Sequence, residues 1–438
     1  MFSKGDLLMK SLKLATLTSL MAISYNAPAF SVVDLQFWHG LSGQTAEYLN
    51  DMINDFNKSQ KEYHVTAVRK GSYQETMMAG IAAYRAKKSP DLIQVYEVGT
   101  ATMMAAQGAI IPVSKLMTDN HAKLDIKDLI PAVKGYYSHG EELLSYPLNS
   151  SSPVMYFNKS IFKKAGLDPN LPPKTWDELF KYAEKIKTSG AAPCGFTSAW
   201  IAWIQLENFS AWHNVPYASN SNGMSSKTPK LLFNSKTQVS HWDNLLKANK
   251  AGYFTYYGRT TEPEMAFTTQ KCGIYFDSTG SYGDVKQSKI DFGVAKLPYY
   301  QNVPGAPQNT IIGGASMWVF NGISAEKQKA AAHFISYLSQ PEVIAKWHTT
   351  SGYLPISNSS YKFLKNEGFY KLNPGLEVAI FELNNKVPND NSKGLRISGL
   401  PEIRNIIEAN FESMLSGKLT AQKALDDAVE KGDAIIKK

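Results

Sequence analysis

The sequence predicts an α/β protein of two lobes, each a mostly parallel sheet flanked by helices, joined by a hinge. Three observations carry this. The chain has 438 residues, too many for one hydrophobic core. Residues 32–97 switch between strand-like and helix-like apolar periods in the order βαβαβ. Pro147 and Pro153 then bracket a hydroxyl-rich run, and a second α/β pattern begins beyond them.

Residues 32–37 read as a first strand, ending in Trp38-His39-Gly40. Leu49, Met52, Ile53 and Phe56 fall at i, i+3, i+4 and i+7 of a helix. Residues 63–68 give a second strand with Tyr63, Val65 and Ala67 on one face. A loop at 70–73 opens a helix through Arg85, broken by Ser89-Pro90. Residues 92–96 are nearly continuous in apolar side chains, as a buried parallel strand should be. Ligands of such sheets sit off the carboxyl ends of strands. His39, Tyr73 and Glu97 fall there, although His39 beside Trp38 reads as a packed residue rather than a base.

Residues 146–153 read as a crossover, where extended chain and small side chains suit a hinge. Thr175 and Glu178 form a capping box for a helix over 176–187. Trp200, Trp203 and Trp212 follow with Phe209. Trp200 and Trp203 lie three apart and would share one helix face. They form either one wall of a ligand cleft or part of a buried aromatic cluster, with Ile204 and Phe209 behind them and Trp212 in the core. A hydroxyl- and Gly-rich turn at 277–283 follows a short strand; it is an ordinary turn or an anion cradle. Gly313-Gly314 opens a strand and permits close backbone approach. Ser324 caps an Ala-rich helix to Leu338, and residues 351–355 are a linker. Residues 394–396 and 401–404 precede a long helical tail, whose last helix ends at Gly432.

Lys4, Lys10 and Lys13, the apolar run 14–23 and Ala27-Pro28-Ala29 form a signal peptide over residues 1–29, with Met1 or Met9 as the start. An exported protein is expected, with no membrane span after the leader. Cleavage takes away three Lys and one Asp, lowering the net charge from +8 to +6. The Lys residues are scattered beside acids, so nucleic acid is not an expected partner. Cys194 and Cys272 either pair or stay as buried thiols. Zinc-ligand spacings, nucleophile elbows and dinucleotide or Walker glycine motifs are absent, so no metal, cofactor or catalytic residue is expected and a binder is favoured mildly over an enzyme.

Six segments taken together carry a resemblance: FWH (37–39), QVYEVGTATMM (94–104), WIQLENFSAW (203–212), IIGGAS (311–316), SGYLPI (351–356) and PEIR (401–404). The chain resembles the periplasmic sn-glycerol-3-phosphate-binding proteins of bacterial ABC importers, within the maltose-binding-protein-like extracellular solute-binding proteins. The likeness implies the two-lobed periplasmic binding protein fold (type II), acting as a monomer. Residues 30–148 and 293–350 would form one lobe, and residues 149–292 and 351–438 the other. It implies a ligand set by position: Tyr73, Glu97, Ser151, Trp200, Trp203, Ser278, Gly314, Tyr353 and Arg404. Asp277 beside Ser278, and Ala199 before Trp200, depart from the family pattern.

The chemistry suits that set. A phosphomonoester needs donors: the Arg404 fork, the Ser151, Ser278 and Tyr353 hydroxyls and the Gly314 N–H. Glycerol hydroxyls need an acceptor, Glu97. The Trp pair would cover the carbon skeleton. Ligand-driven hinge closure would then present the protein to permease subunits. The alternatives are a glycerophosphodiester such as glycerophosphocholine, a sugar or oligosaccharide, and an exported hydrolase.

Overall fold

The computed structural model describes residues 32–106 and 108–437. The signal-peptide reading lies outside the described residues. Among the described residues twelve strands run in chain order: β1 (Val33–His39), β2 (Tyr63–Arg69), β3 (Leu92–Tyr96), β4 (Ile110–Ile111), β5 (Ser138–His139), β6 (Glu142–Leu143), β7 (Tyr146–Ser151), β8 (Pro153–Asn158), β9 (Cys194–Ser198), β10 (Cys272–Ser278), β11 (Phe292–Ala295) and β12 (Gly313–Phe320). One sheet has the order β2-β1-β3-β12-β4, with β7 also paired to β12. A second has the order β11-β8-β10-β9. Each is the floor of one lobe.

The periodic segments fold as their patterns require. Leu49, Met52, Ile53 and Phe56 are the buried face of helix Gly43–Ser59. β2 buries Tyr63 and Val65 and exposes His64 and Thr66 between them. Ser72 and Glu75 close a capping box on helix Tyr73–Arg85, and Thr175 and Glu178 do so on helix Trp176–Thr188.

Both sheets are mixed rather than mostly parallel. β1, β2 and β3 are parallel, but β12 runs antiparallel to β3, β4 and β7. In the second sheet only β9 and β10 are parallel. The cause is the crossing chain. β7 lies in the first sheet and β8 in the second, with a single residue, Ser152, between them. β12 re-enters the first sheet against β7, which fixes its direction as opposite to β3. Ser152 Oγ and Thr310 Oγ1 meet at 2.7 Å where these two connections cross. The linker at 351–355 joins them, as Leu354 N donates to Ser150 O at 2.8 Å.

Two helix readings are corrected. Pro401 and Arg404 are not ahead of the helical tail but within the first five residues of helix Leu400–Leu415. The last helix does not stop at Gly432; it runs Ala421–Ile436. A Cβ at Gly432 would sit 2.3 Å from Leu231 Cδ1, so this glycine serves close packing rather than termination. Cys194 and Cys272, partners in the β9–β10 register, form a disulfide. Among the described residues no helix is long and apolar enough to cross a membrane.

Candidate functional site

Arg404 sits where the lobes meet. The N-terminal part of helix Leu400–Leu415 points it at Glu97, which follows β3 in the other lobe. Its Nη2 donates to Glu97 Oε1 at 2.7 Å. Its Nε and Nη2 also donate to the two oxygens of Glu207, each at 2.7 Å. This is a bidentate fork, the geometry that suits a guanidinium best. Burial works against the charge of Arg404, but Glu207 and Glu97 hold its pKa well above the ordinary value. Burial raises Glu97; Arg404 opposes that shift and Glu207 adds to it. Glu408, one turn further along the helix, is pushed up to about 7 by burial against the pull of Arg404 and Arg259.

Glu207 was not among the sequence candidates. It lies inside the segment 203–212 that carries the resemblance, yet nothing local marks it as the partner of a residue 197 positions away.

Tyr73 and Tyr353 meet at the hinge, with hydroxyls 3.4 Å apart. Tyr73 is the first residue of its helix, and a Cβ on Gly40 would lie 2.9 Å from its backbone nitrogen, so glycine is needed there. Its ring stacks on Tyr96 at 5.7 Å, and its hydroxyl accepts from Asn149 Nδ2 at 2.9 Å. Burial raises both tyrosines, so their hydroxyls stay protonated at neutral pH. Ser151 ends β7 and pairs with Gly313 in β12; Gly314 pairs with Ser150. Gly314 has φ +85°, and a Cβ there would lie 1.9 Å from Asn149 O. Only glycine fits this crossing.

The Trp pair is arranged differently from a shared helix face. Trp200 precedes the helical segment with φ +47° and is half-buried against both cores. Trp203 begins a π-helical stretch, Trp203–Asn208, and is buried. A Cβ on Gly313 would lie 2.3 Å from its Cζ2. The left-handed turn at Trp200 is what separates the two rings, and i, i+3 spacing does not anticipate it. Trp212 is core, donating from Nε1 to Leu297 O at 3.1 Å, with Ile204 and Phe209 buried around it.

Ser278 is half-buried and caps the turn Thr279–Ser281, accepting from Gly280 N at 3.0 Å. Asp277 is buried and committed to its own lobe: it accepts from the Tyr275 and Ser281 hydroxyls and, at 2.6 Å, from Ser278 N. Burial pushes it up to about 6, opposed by these bonds and one from Trp200. His39 is packed and held neutral, pushed down to about 4 by burial and Arg69. The structure thus gathers Glu97 and Arg404 at one place, Tyr73 and Tyr353 at a second, and Ser151 and Gly314 on the strands between the lobes.

Residues 51–377 match the bacterial extracellular solute-binding protein family. The sn-glycerol-3-phosphate-binding periplasmic protein UgpB of Brucella abortus (strain 2308) is 46% identical over 423 residues, 96% of this chain and 97% of that protein. The protein of the same name from Rhizobium meliloti is 45% identical over 426 residues, 97% of this chain and 99% of that one. The chain belongs to the bacterial extracellular solute-binding proteins. Solved structures of such proteins share its fold. UgpB from Mycobacterium tuberculosis in complex with glycerophosphocholine superposes with a TM-score of 0.78 at 20% identity, covering 93% of this chain and 99% of that one. Maltose-bound MalE3 of T. maritima gives 0.75 at 18%, covering 92% and 100%. Ligand pockets occur preferentially where domains meet.

Proposed function

We propose that this solute-binding protein is the periplasmic component of an ABC importer, capturing sn-glycerol 3-phosphate between its lobes and handing it to transmembrane permease subunits. The observation that carries this is the near full-length identity of 43–46% to proteins named for that ligand. The seam supplies fitting chemistry. Glu207 and Glu97 occupy Nε and Nη2 of Arg404, which leaves Nη1 for a phosphate oxygen. The second oxygen of Glu97 is an acceptor for a glycerol hydroxyl. Ser151, Ser278, Tyr353 and the Gly314 N–H are the further donors, and Trp200, Trp203 and Tyr73 the apolar walls. The hinge is read at Ser152 and at the two returning connections. Lobe closure would commit the ligand and present the closed face to the permease.

Glycerophosphocholine is the second reading. Three carboxylates, Glu97, Glu207 and Glu408, lie around one Arg404, so the seam could accept a cationic head group beside the aromatic rings. Calorimetric titration of the mature protein with glycerol 3-phosphate, glycerophosphocholine and maltose separates the readings. Glycerol 3-phosphate is expected to bind at micromolar concentration or tighter, about −8 kcal/mol. Maltose binding without a response to glycerol 3-phosphate would overturn the proposal, and product formation would indicate an enzyme. Arg404→Ala is expected to weaken glycerol 3-phosphate at least 100-fold, the loss of a charge-assisted contact; unchanged affinity would remove Arg404 from the site.

A further inference from the structure

Four hydrogen bonds run in series from the first strand to the hinge. Gly40 N lies 2.9 Å from Gln94 Oε1. Gln94 Nε2 lies 2.8 Å from Asn149 Oδ1. Asn149 Nδ2 lies 2.9 Å from Tyr73 Oη, and Tyr73 Oη lies 3.4 Å from Tyr353 Oη. Gln94 and Asn149 are fully buried, and neither belongs to the ligand set.

The first three bonds have one direction only. A backbone N–H can donate and never accept, so Gly40 fixes Gln94 Oε1 as the near atom. The Gln94 amide nitrogen must then face Asn149, and Asn149 must answer with its oxygen. Its nitrogen is left facing Tyr73. An amide nitrogen does not accept, so the Tyr73 oxygen accepts there. The arrangement that passes this polarity onward sends the Tyr73 proton to Tyr353. Tyr353 receives a proton from behind, and its own O–H is left for the seam. Both amide orientations, ordinarily ambiguous, follow from the one fixed donor.

We infer that Gln94 and Asn149 are positioning residues: the relay from Gly40 polarises the tyrosine pair so that Tyr353 presents a hydroxyl proton to an anionic oxygen of the ligand. This rests on the glycerol 3-phosphate reading and deepens it. Reversal of the relay would turn the Tyr353 oxygen lone pairs toward the same anion. Specificity for a phosphate oxygen over a neutral hydroxyl would thereby be set two residues away from the ligand, in the buried part of one lobe.

Gln94→Glu reverses the relay with almost no change of shape. Its carboxylate accepts from Gly40 with one oxygen and requires a donor at the other. Asn149 turns its nitrogen to Glu, its oxygen takes the Tyr73 proton, and Tyr73 takes the proton of Tyr353. Gln94→Met removes the relay without adding charge and covers the case in which the buried carboxylate prevents folding. Each change is combined with Tyr353→Phe and titrated with glycerol 3-phosphate by calorimetry. In the parent, Tyr353→Phe is expected to weaken binding about 10- to 100-fold, one hydrogen bond to a charged oxygen. In the Gln94→Glu background the same change is expected to cost threefold or less, because the proton it removes no longer points at the ligand. In Gln94→Met an intermediate loss is expected. Equal losses in all three backgrounds would overturn the relay while leaving the ligand reading intact. A parent protein that binds no phosphate ester would instead overturn the ligand reading.

Discussion

At the residue scale the decisive group is the buried guanidinium of Arg404. Two carboxylates share it, and both lie at 2.7 Å. A buried ion pair adds little over an apolar pair of the same shape, but removing one partner strands a charge. Glu207 is the more deeply buried partner and makes two of the three bonds. Glu207→Ala is therefore expected to lower unfolding stability by about 3–5 kcal/mol, with Glu207→Gln, which can still accept one bond, lowering it less. Denaturant unfolding at constant m-value reads this directly. Equal effects of the two changes would mean that the charge of the side chain, not its packing or its remaining bond, holds Arg404.

At the element scale, helix Val378–Leu383 carries an acid where an apolar residue would pack. Glu382 is fully buried and accepts from Leu297 N at 2.6 Å, and its other oxygen has no partner. Burial pushes its carboxyl up to about 8, against the pull of the Leu297 N–H and Lys296. An unfolded Glu titrates near 4.3. Between those values the folded chain holds a proton that the unfolded chain has lost. Stability from this group is complete below the lower value and falls as pH rises toward the upper one. Glu382→Gln should match the parent at pH 4 and exceed it at pH 9 by up to about 5 kcal/mol, at ~1.4 kcal/mol per unit. Denaturation midpoints at pH 4, 7 and 9 check it; a difference independent of pH would exclude the carboxyl as its source. Such an acid is invisible in the sequence, because its burial is set by chain far from it. What was legible is local: the amphipathic face of Gly43–Ser59, the alternation in β2, and the capping boxes at Ser72 and Thr175. What was not legible depends on distant contacts. Glu207 needs Arg404, Gly432 needs Leu231, and the antiparallel β12 needs β7. Trp200 failed for another reason: an i, i+3 face presumes a helix, and its backbone is left-handed before the helix starts. The ligand set itself came from the family likeness, and the geometry alone would not have named a phosphate.

At the scale of the whole molecule, the side chains through which the two lobes touch are levers on closure. Glu97 of one lobe meets Arg404 of the other, and the Asp284 carboxylate faces the start of Gly43–Ser59, where a Cβ on Gly43 would lie 3.8 Å from its Oδ1. Trp203 also packs closely on Gly313, where a Cβ would lie 2.3 Å from its Cζ2. Gly313 lies in β12 where it pairs with Ser151, so it cannot retreat without breaking that ladder. Trp203 is wedged in a π-helical turn and has little freedom to move away. A side chain at 313 would therefore hold the lobes apart while leaving each sheet whole. Apparent affinity is the intrinsic affinity scaled by the fraction of molecules able to close, so an obstacle worth about 1.4–2.8 kcal/mol weakens binding roughly 10- to 100-fold. Gly313→Val is expected to weaken glycerol 3-phosphate by that range. Solution scattering should show the variant keeping the larger radius of gyration of the ligand-free parent at ligand concentrations that compact the parent. Weak binding with normal compaction would move the effect from closure to direct contact between Trp203 and the ligand, and unaltered affinity would show that Trp203 yields when the lobes meet.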